Sequence, residues 1–389
     1  MLLLAKGTID DMTAPTSPTA TVPSEGPRPG ALNEASSVPK QKGAVHRLVF
    51  MILAALGVAL TLDAALLLLP ENDYQRWQLL DGTLYEQLRW MYERIHFDSK
   101  PIDVAILGSS RSQLGLSAAA IEHDLAQQGR PANVVNFSIV GAGRNLQWAI
   151  LDELFKAKSP KVIVLMVDDQ PYPFGHAAFR YVAPAEAVVF PPTPLMHNYL
   201  YDLTYLPARS ARLVGANLFP DLFGLSKQFD PDRYAQTRID YTTSFISGGK
   251  LIDMDRRTPR ATLLAEPREP VPRTLVARGL ARLNGGEDHL YISKIANEAK
   301  SHGAQLVFVF LPMFNGPQTI TDLPFLKRYG TVVDDGDLAQ QDGLYENWAH
   351  MNHAGAMTAS ARLAKAIDGL LADGPSRLGD ESSSSTPRR

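Results

Sequence analysis

Residues 104–115 read VAILGSSRSQLG, an apolar run that stops at Gly108 and opens into Ser109, Ser110, Arg111 and Ser112. A serine hydroxyl is a poor nucleophile at its own pKa and attacks a carbonyl carbon only with a base within hydrogen-bond reach. The candidate bases lie far along the chain, where YENWAHMNHAGA (345–356) supplies His350 and His353. Two further apolar runs also lead into polar chemistry. NVVNFSI (133–139) passes through Asn136 toward Gly141 and Gly143, and KVIVLMV (161–167) ends on Asp168, Asp169 and Gln170. Serine attack on an acyl group is one chemistry these types could perform together. The ordinary alternative is a strand-end turn in which a serine bonds its own backbone.

Other chemistries fit less well. His350 and His353 stand three residues apart with no third ligand in view, too little for zinc. VVDDGD (332–337) resembles a calcium-loop fragment but lacks the spacing and terminal glutamate, so it reads as a turn. Gly141 and Gly143 form a GxG without the rest of a dinucleotide fingerprint. No metal and no cofactor are expected. The chain has no cysteine, which excludes disulfides and thiolate catalysis. Its net charge of −3, with no basic stripe, gives no reason to expect a nucleic-acid partner.

The elements that must position these residues alternate between strand and helix patterns. VAIL (104–107) reads as a strand and 117–129 as a helix with Ser117 at its N-cap and Gly129 at its stop. A strand at 133–139, a helix near 145–157 and the continuous apolar strand 161–167 follow. A helix near 288–302, the strand AQLVFVFLP (304–312) and a last helix over 354–372 complete the series. Between them, residues 171–286 are rich in proline and aromatics and read as an insertion or cap. The expected class is therefore α/β with a parallel sheet.

Ahead of this domain, residues 1–44 and the tail 373–389 have the composition of disordered segments. Leu48 to Leu69 gives 22 residues interrupted by one charge, Asp63, which is the length of a membrane-spanning helix. Lys40, Lys42 and Arg47 precede the span and Glu71 and Asp73 follow it, so the N-terminus is expected in the cytoplasm and the bulk of the chain outside it. Residues 74–97 place Trp77, Leu80, Leu84, Leu88, Met91 and Ile95 at helical spacing, so 74–100 reads as an amphipathic linker helix.

The order of the strand-end clusters resembles the SGNH hydrolases, the GDSL esterase family, in a membrane-tethered form with GSSR at the nucleophile turn. The family's nucleophile position reads Gly108-Ser109-Ser110 here, its second block matches Asn136 and Gly141, and its last block is similar to Asn347-Trp348-Ala349-His350. The resemblance covers about 103–170 and 288–372 and implies a flavodoxin-like three-layer fold spanning 101–372 around the insertion. It implies Ser110 as nucleophile, His350 as base and Asn347 in the place of the orienting aspartate. Gly141, Gln170 and Arg111 become the oxyanion and substrate-binding residues. Two departures stand out: Asn347 replaces a carboxylate, and Asp168-Asp169-Gln170 replaces the family's third block.

The resulting expectation is a single-pass inner-membrane esterase or O-acyltransferase acting on an acylated cell-envelope carbohydrate. It would meet an acyl donor and, through its helix, the membrane or a membrane-protein partner. The rival is a non-catalytic scaffold of an envelope polysaccharide system that keeps the fold, favoured by Asn347 and the lost third block. A third reading makes the aromatic-rich insertion a carbohydrate-binding module. The two main readings differ in space, because only the enzyme requires the Ser110 hydroxyl to reach a ring nitrogen of His350.

Overall fold

The structure is a computed structural model, and it describes residues 46–54, 57, 61, 71–141, 143–169, 172, 174–192, 198–234, 240–247, 250–266 and 275–373. The chain divides into two compact units, Met1–Val58 and Ala59–Arg389. In the first unit, 46–54 and 57 are helical, and Leu48, Phe50 and Met51 are exposed. Most of the apolar run 48–69, the arm 1–44 and nearly all of the tail 373–389 lie outside the described residues. Among the described residues no helix is long and apolar enough to cross a membrane.

The second unit is built on five parallel strands: β1 (Val104–Leu107), β2 (Val134–Asn136), β3 (Val162–Val167), β6 (Gln305–Phe310) and β7 (Thr331–Asp334). A separate antiparallel hairpin supplies β4 (Ser244–Ser247) and β5 (Lys250–Asp253). The large sheet runs β2-β1-β3-β6-β7. Counting only its own strands, this is the order 2-1-3-4-5 and is compatible with a flavodoxin-like fold. The principal helices are α1 (Asp73–Trp77), α2 (Gln87–His96), α3 (Ser110–Gly115), α4 (Ala118–Gln127), α5 (Arg144–Ala157), α6 (Tyr199–Leu218), α7 (Leu275–Ser301) and α8 (His353–Asp373).

Alternation along the strands explains the layering. Leu107, Phe137, Leu165 and Phe308 face one core with Leu88 and Ile95 of α2, Leu146 and Leu154 of α5, and Tyr291 and Ile295 of α7. Ile106, Val164, Met166 and Val309 face the other with Ile121 and Leu125 of α4 and Leu363 and Ile367 of α8. Strands covered on both faces need apolar residues at every position, hence the unbroken runs VAIL and VIVLMV.

Several sequence expectations change. The helix expected over 74–97 is two helices, because Asp81-Gly82-Thr83 turns the chain with Gly82 at φ 73° and the Thr83 hydroxyl bonds the Leu80 carbonyl at 2.6 Å. Leu84, placed on the apolar face by spacing, is therefore 62% exposed. Trp77, Leu88, Met91 and Ile95 are core residues, so the segment expected as a linker packs into the domain instead of preceding it. The second strand stops at Asn136, and residues 137–139 continue beside β1 only through Phe137 N–H to Ile106 O and Ile139 N–H to Gly108 O. Val332 and Val333, read as part of a turn, lie in the edge strand β7. The helix expected from 288 starts at Leu275, inside the span assigned to the insertion.

Candidate active site

The Gly108 corner permits a close approach. A Cβ on Gly108 would fall 2.0 Å from Ser112 Oγ and 2.7 Å from Met166 Cβ, so a side chain there would push α3 off the sheet. Ser109 caps α3, accepting from the Arg111 N–H at 3.3 Å. Ser112 is buried, with its hydroxyl 2.8 Å from Ser138 Oγ and 3.0 Å from the Ser109 carbonyl. Ser109 and Ser112 thus hold the turn, and Ser110 is the first residue of the helix they shape.

Ser110 Oγ lies 2.9 Å from His350 Nε2 across 240 residues of sequence. His350 occupies a tight loop pinned at its base by the Tyr345–Met351 bridge and closed by Glu346 N–H to His350 O at 3.1 Å. The loop ends in Asn352, whose side chain accepts from the Gly355 N–H at 3.0 Å at the start of α8. Gly355 is required there, since a Cβ would fall 2.3 Å from the Leu344 carbonyl. The insertion also grips this loop: the Thr258 hydroxyl donates to the Glu346 carbonyl and the Trp348 N–H to Glu266 Oε2, at 2.5 and 2.9 Å.

Asn347 completes a chain of hydrogen bonds. Its Oδ1 accepts from Ala349 N–H and His350 N–H and stands 3.1 Å from His350 Nδ1. Its Nδ2 donates to the Glu346 carboxylate in a very short contact. This network fixes both the amide orientation and the imidazole tautomer. Nδ1 carries the proton and gives it to Asn347, so Nε2 presents its lone pair to the Ser110 hydroxyl. Burial pushes the His350 pKa down to about 4, and the Arg111 charge acts in the same sense. The ring is neutral at physiological pH.

Gly141 sits on the loop after β2, which Ile139 N–H ties to the Gly108 carbonyl at 3.2 Å, and the structure brings that loop to the serine corner. Asn136 does not turn toward the site: its Nδ2 donates to the Ser112 and Leu116 carbonyls at 3.0 and 2.9 Å, closing the C-terminal end of α3. No local sequence pattern marks the group that fixes the glycine loop. His176 Nε2 donates to the Val140 carbonyl at 2.9 Å, its Nδ1 accepts from Ala178 N–H at 3.0 Å, and its own N–H donates to Asn145 Oδ1 at 2.8 Å. Gly143, at φ 147°, could carry no Cβ without meeting the His176 backbone nitrogen at 2.3 Å. Gly143→Ala should therefore destabilise the fold by about 3 kcal/mol or more, seen as a lower urea midpoint.

Both His176 nitrogens are used by the neutral ring, and burial pushes its pKa down to about 4. The unfolded chain takes up this proton near 6.5. The neutral clasp therefore contributes fully above about pH 6.5 and loses its contribution as pH falls toward 4. His176→Ala should cost about 2–4 kcal/mol near neutral pH, and the gap to wild type should narrow as the pH is lowered through that window, read by denaturant unfolding.

Arg111, expected to bind substrate, is engaged within the fold. Its guanidinium pairs with Asp168 at the end of β3 and donates to the Leu311 carbonyl beyond β6 at 2.9 Å. Burial lowers its pKa to about 10, against the opposing charge of Asp169, so it stays cationic at neutral pH. Gln170 lies outside the described residues. His353 faces the insertion, with Nδ1 3.1 Å from the Thr242 carbonyl. Among the described residues no three His, Asp or Glu side chains gather as a metal site. The insertion's tyrosines are partly engaged as well, since Arg180 lies over the rings of Tyr181, Tyr201 and Tyr205 at 5.1, 4.2 and 5.7 Å. A narrow cleft opens beside Asp168 at the carboxyl end of β3, lined by Arg144, Asp169, Asp288, His289 and Asp322. No protein-family model matches this chain, and no curated protein matches its sequence.

Proposed function

We propose that the protein is an SGNH-like serine esterase or O-acyltransferase, held to the inner membrane by residues 48–69, whose extracytoplasmic domain moves acyl groups on a cell-envelope carbohydrate. The observation that carries this reading is the relay Ser110–His350–Asn347, with contacts of 2.9 and 3.1 Å, at the carboxyl ends of a parallel sheet. The strand order and the order of the blocks along the chain agree with the family resemblance. The exposed apolar side chains of 48–53 and the basic flank before them support the anchor.

In this reaction Ser110 Oγ bonds to the ester carbonyl carbon while its proton passes to His350 Nε2. The tetrahedral oxyanion is assigned to the backbone N–H groups of Ser110 and Gly141. Collapse breaks the bond to the leaving alkoxide, which takes the proton from His350 and leaves an acyl-serine. Water or an acceptor hydroxyl then reverses these steps. The scaffold reading keeps one observation in its favour, the absence of a carboxylate directly on His350.

A serine-reactive fluorophosphonate applied to the full chain in detergent separates the two. The enzyme reading expects covalent labelling that vanishes in Ser110→Ala and survives in Ser109→Ala. An unlabelled wild-type chain, or labelling that persists without the Ser110 hydroxyl, would leave the scaffold.

A further inference from the structure

The outer side of α6 is lined by uncharged residues that no described residue of the domain covers. Its exposed positions are Leu200, Tyr201, Thr204, Ala208, Ala211, Asn217 and Leu218; of its three charged residues, Asp202 and Arg209 are buried in pairs with Arg180 and Glu71, and Arg212 is half-buried with Nη1 directed at the Leu79 carbonyl, 3.5 Å away. Large apolar groups stand at both ends. Phe190, Leu200 and Tyr201 are 81, 72 and 62% exposed near the N-terminal end, and Leu218, Phe219 and Leu222 are 65, 61 and 80% exposed at the other. Twenty helical residues separate the two groups by about 30 Å. Asp221 is the one exposed charge among the described residues 199–222.

The occupant follows from where the apolar span ends. Leu69 is two residues before Glu71, a reach of at most about 7 Å. Glu71 is itself fixed beneath the middle of α6: its carboxylate accepts from Arg209 Nη2 and the Ser210 hydroxyl at 3.1 Å. The next residues continue the attachment, with Asn72 Nδ2 donating to the Lys227 carbonyl and Gln75 Nε2 to those of Ala216 and Leu225. A helix with its side chains is about 10 Å thick, so a bilayer that holds Leu69 lies within contact distance of the outer face of α6. An amphipathic helix with apolar groups at both ends and its charges turned inward is suited to lie flat in the headgroup boundary.

We propose that α6 and the turn through Leu222 form a second, interfacial membrane contact that rests the domain on the lipid surface. This inference depends on the anchoring half of the function proposed above and is independent of the chemistry at Ser110. The chain contains no cysteine, so single substitutions Leu200→Cys, Leu218→Cys, Leu222→Cys and, as a control on the hairpin, Leu251→Cys can each carry one nitroxide label. The full chain is reconstituted into vesicles of phosphatidylethanolamine and phosphatidylglycerol. Alkaline carbonate extraction is performed first, followed by measurement of collision with oxygen and with a water-soluble nickel chelate.

The expected result is retention in the membrane, with a severalfold higher oxygen-to-nickel collision ratio at 200, 218 and 222 than at 251. Release by carbonate would overturn the anchor and this contact together. Retention with nickel access at 218 and 222 equal to that at 251 would overturn the contact alone. Shielding of those positions from both reagents would overturn it in favour of a protein partner on α6.

Discussion

Ser110→Ala is expected to lower turnover of p-nitrophenyl acetate by the full chain by about 10⁴-fold or more, with little change in stability. The loss should be this large because an acyl-enzyme route has no substitute nucleophile at this corner. Ser109 caps α3, and Ser112 is buried against Ser138, so neither hydroxyl is placed to replace Ser110 on His350. Stability should hold because the Ser110 side chain contributes a single hydrogen bond, to a ring already oriented by Asn347. Unchanged turnover in Ser110→Ala, with wild-type unfolding, would remove Ser110 as nucleophile.

Asn347→Asp, made in a Glu346→Gln background so that the new carboxylate meets an amide and not the Glu346 carboxylate, should act in the opposite direction, raising kcat/KM by about tenfold. In a serine triad, exchanging the carboxylate for an amide costs about 10⁴-fold chiefly because the wrong imidazole tautomer results. Here the amide is anchored by Glu346 so that its oxygen, not its nitrogen, faces His350 Nδ1, and the tautomer is already correct. What the amide lacks is the charge that stabilises the imidazolium. With that charge supplied, the ring becomes a stronger base, and its pKa should rise by about one to three units. The sign in a pH profile follows. Wild-type kcat/KM should persist on acidification until His350 protonates near pH 4, and the acid limb of the double variant should lie higher. An acid limb that does not move, with no gain in rate, would show that His350 is not the base.

The position of these residues was readable to different degrees. The apolar runs that end at Gly108, Asn136 and Asp168 marked β1, β2 and β3, because a strand buried on both faces leaves no room for polar side chains. The edge strand β7 escaped notice because its residues are exposed or half-buried and adjoin the acidic run at 334–337. Helical spacing also misread 74–97: periodicity reports which residues are apolar, whereas Gly82 and the Thr83 bond decide where the chain turns.

The site shows the same division. Serine at a strand end and histidine before the last helix are local patterns, and their order along the chain was visible. The role of Arg111 was not, because an arginine beside a nucleophile looks alike in sequence whether it meets a ligand or pairs with Asp168. His176 was equally silent: its partners, Val140 and Asn145, lie more than 30 residues away. By itself the sequence determined the alternating α/β plan, the apolar span and the residue types at the strand ends, since these follow from composition and period within short windows. Only the tertiary structure decided that Ser110 and His350 meet, that Asn347 presents its oxygen, and that the insertion clasps the histidine loop. Those facts rest on hydrogen bonds closed between distant segments, whose directions are set only when both cores have packed.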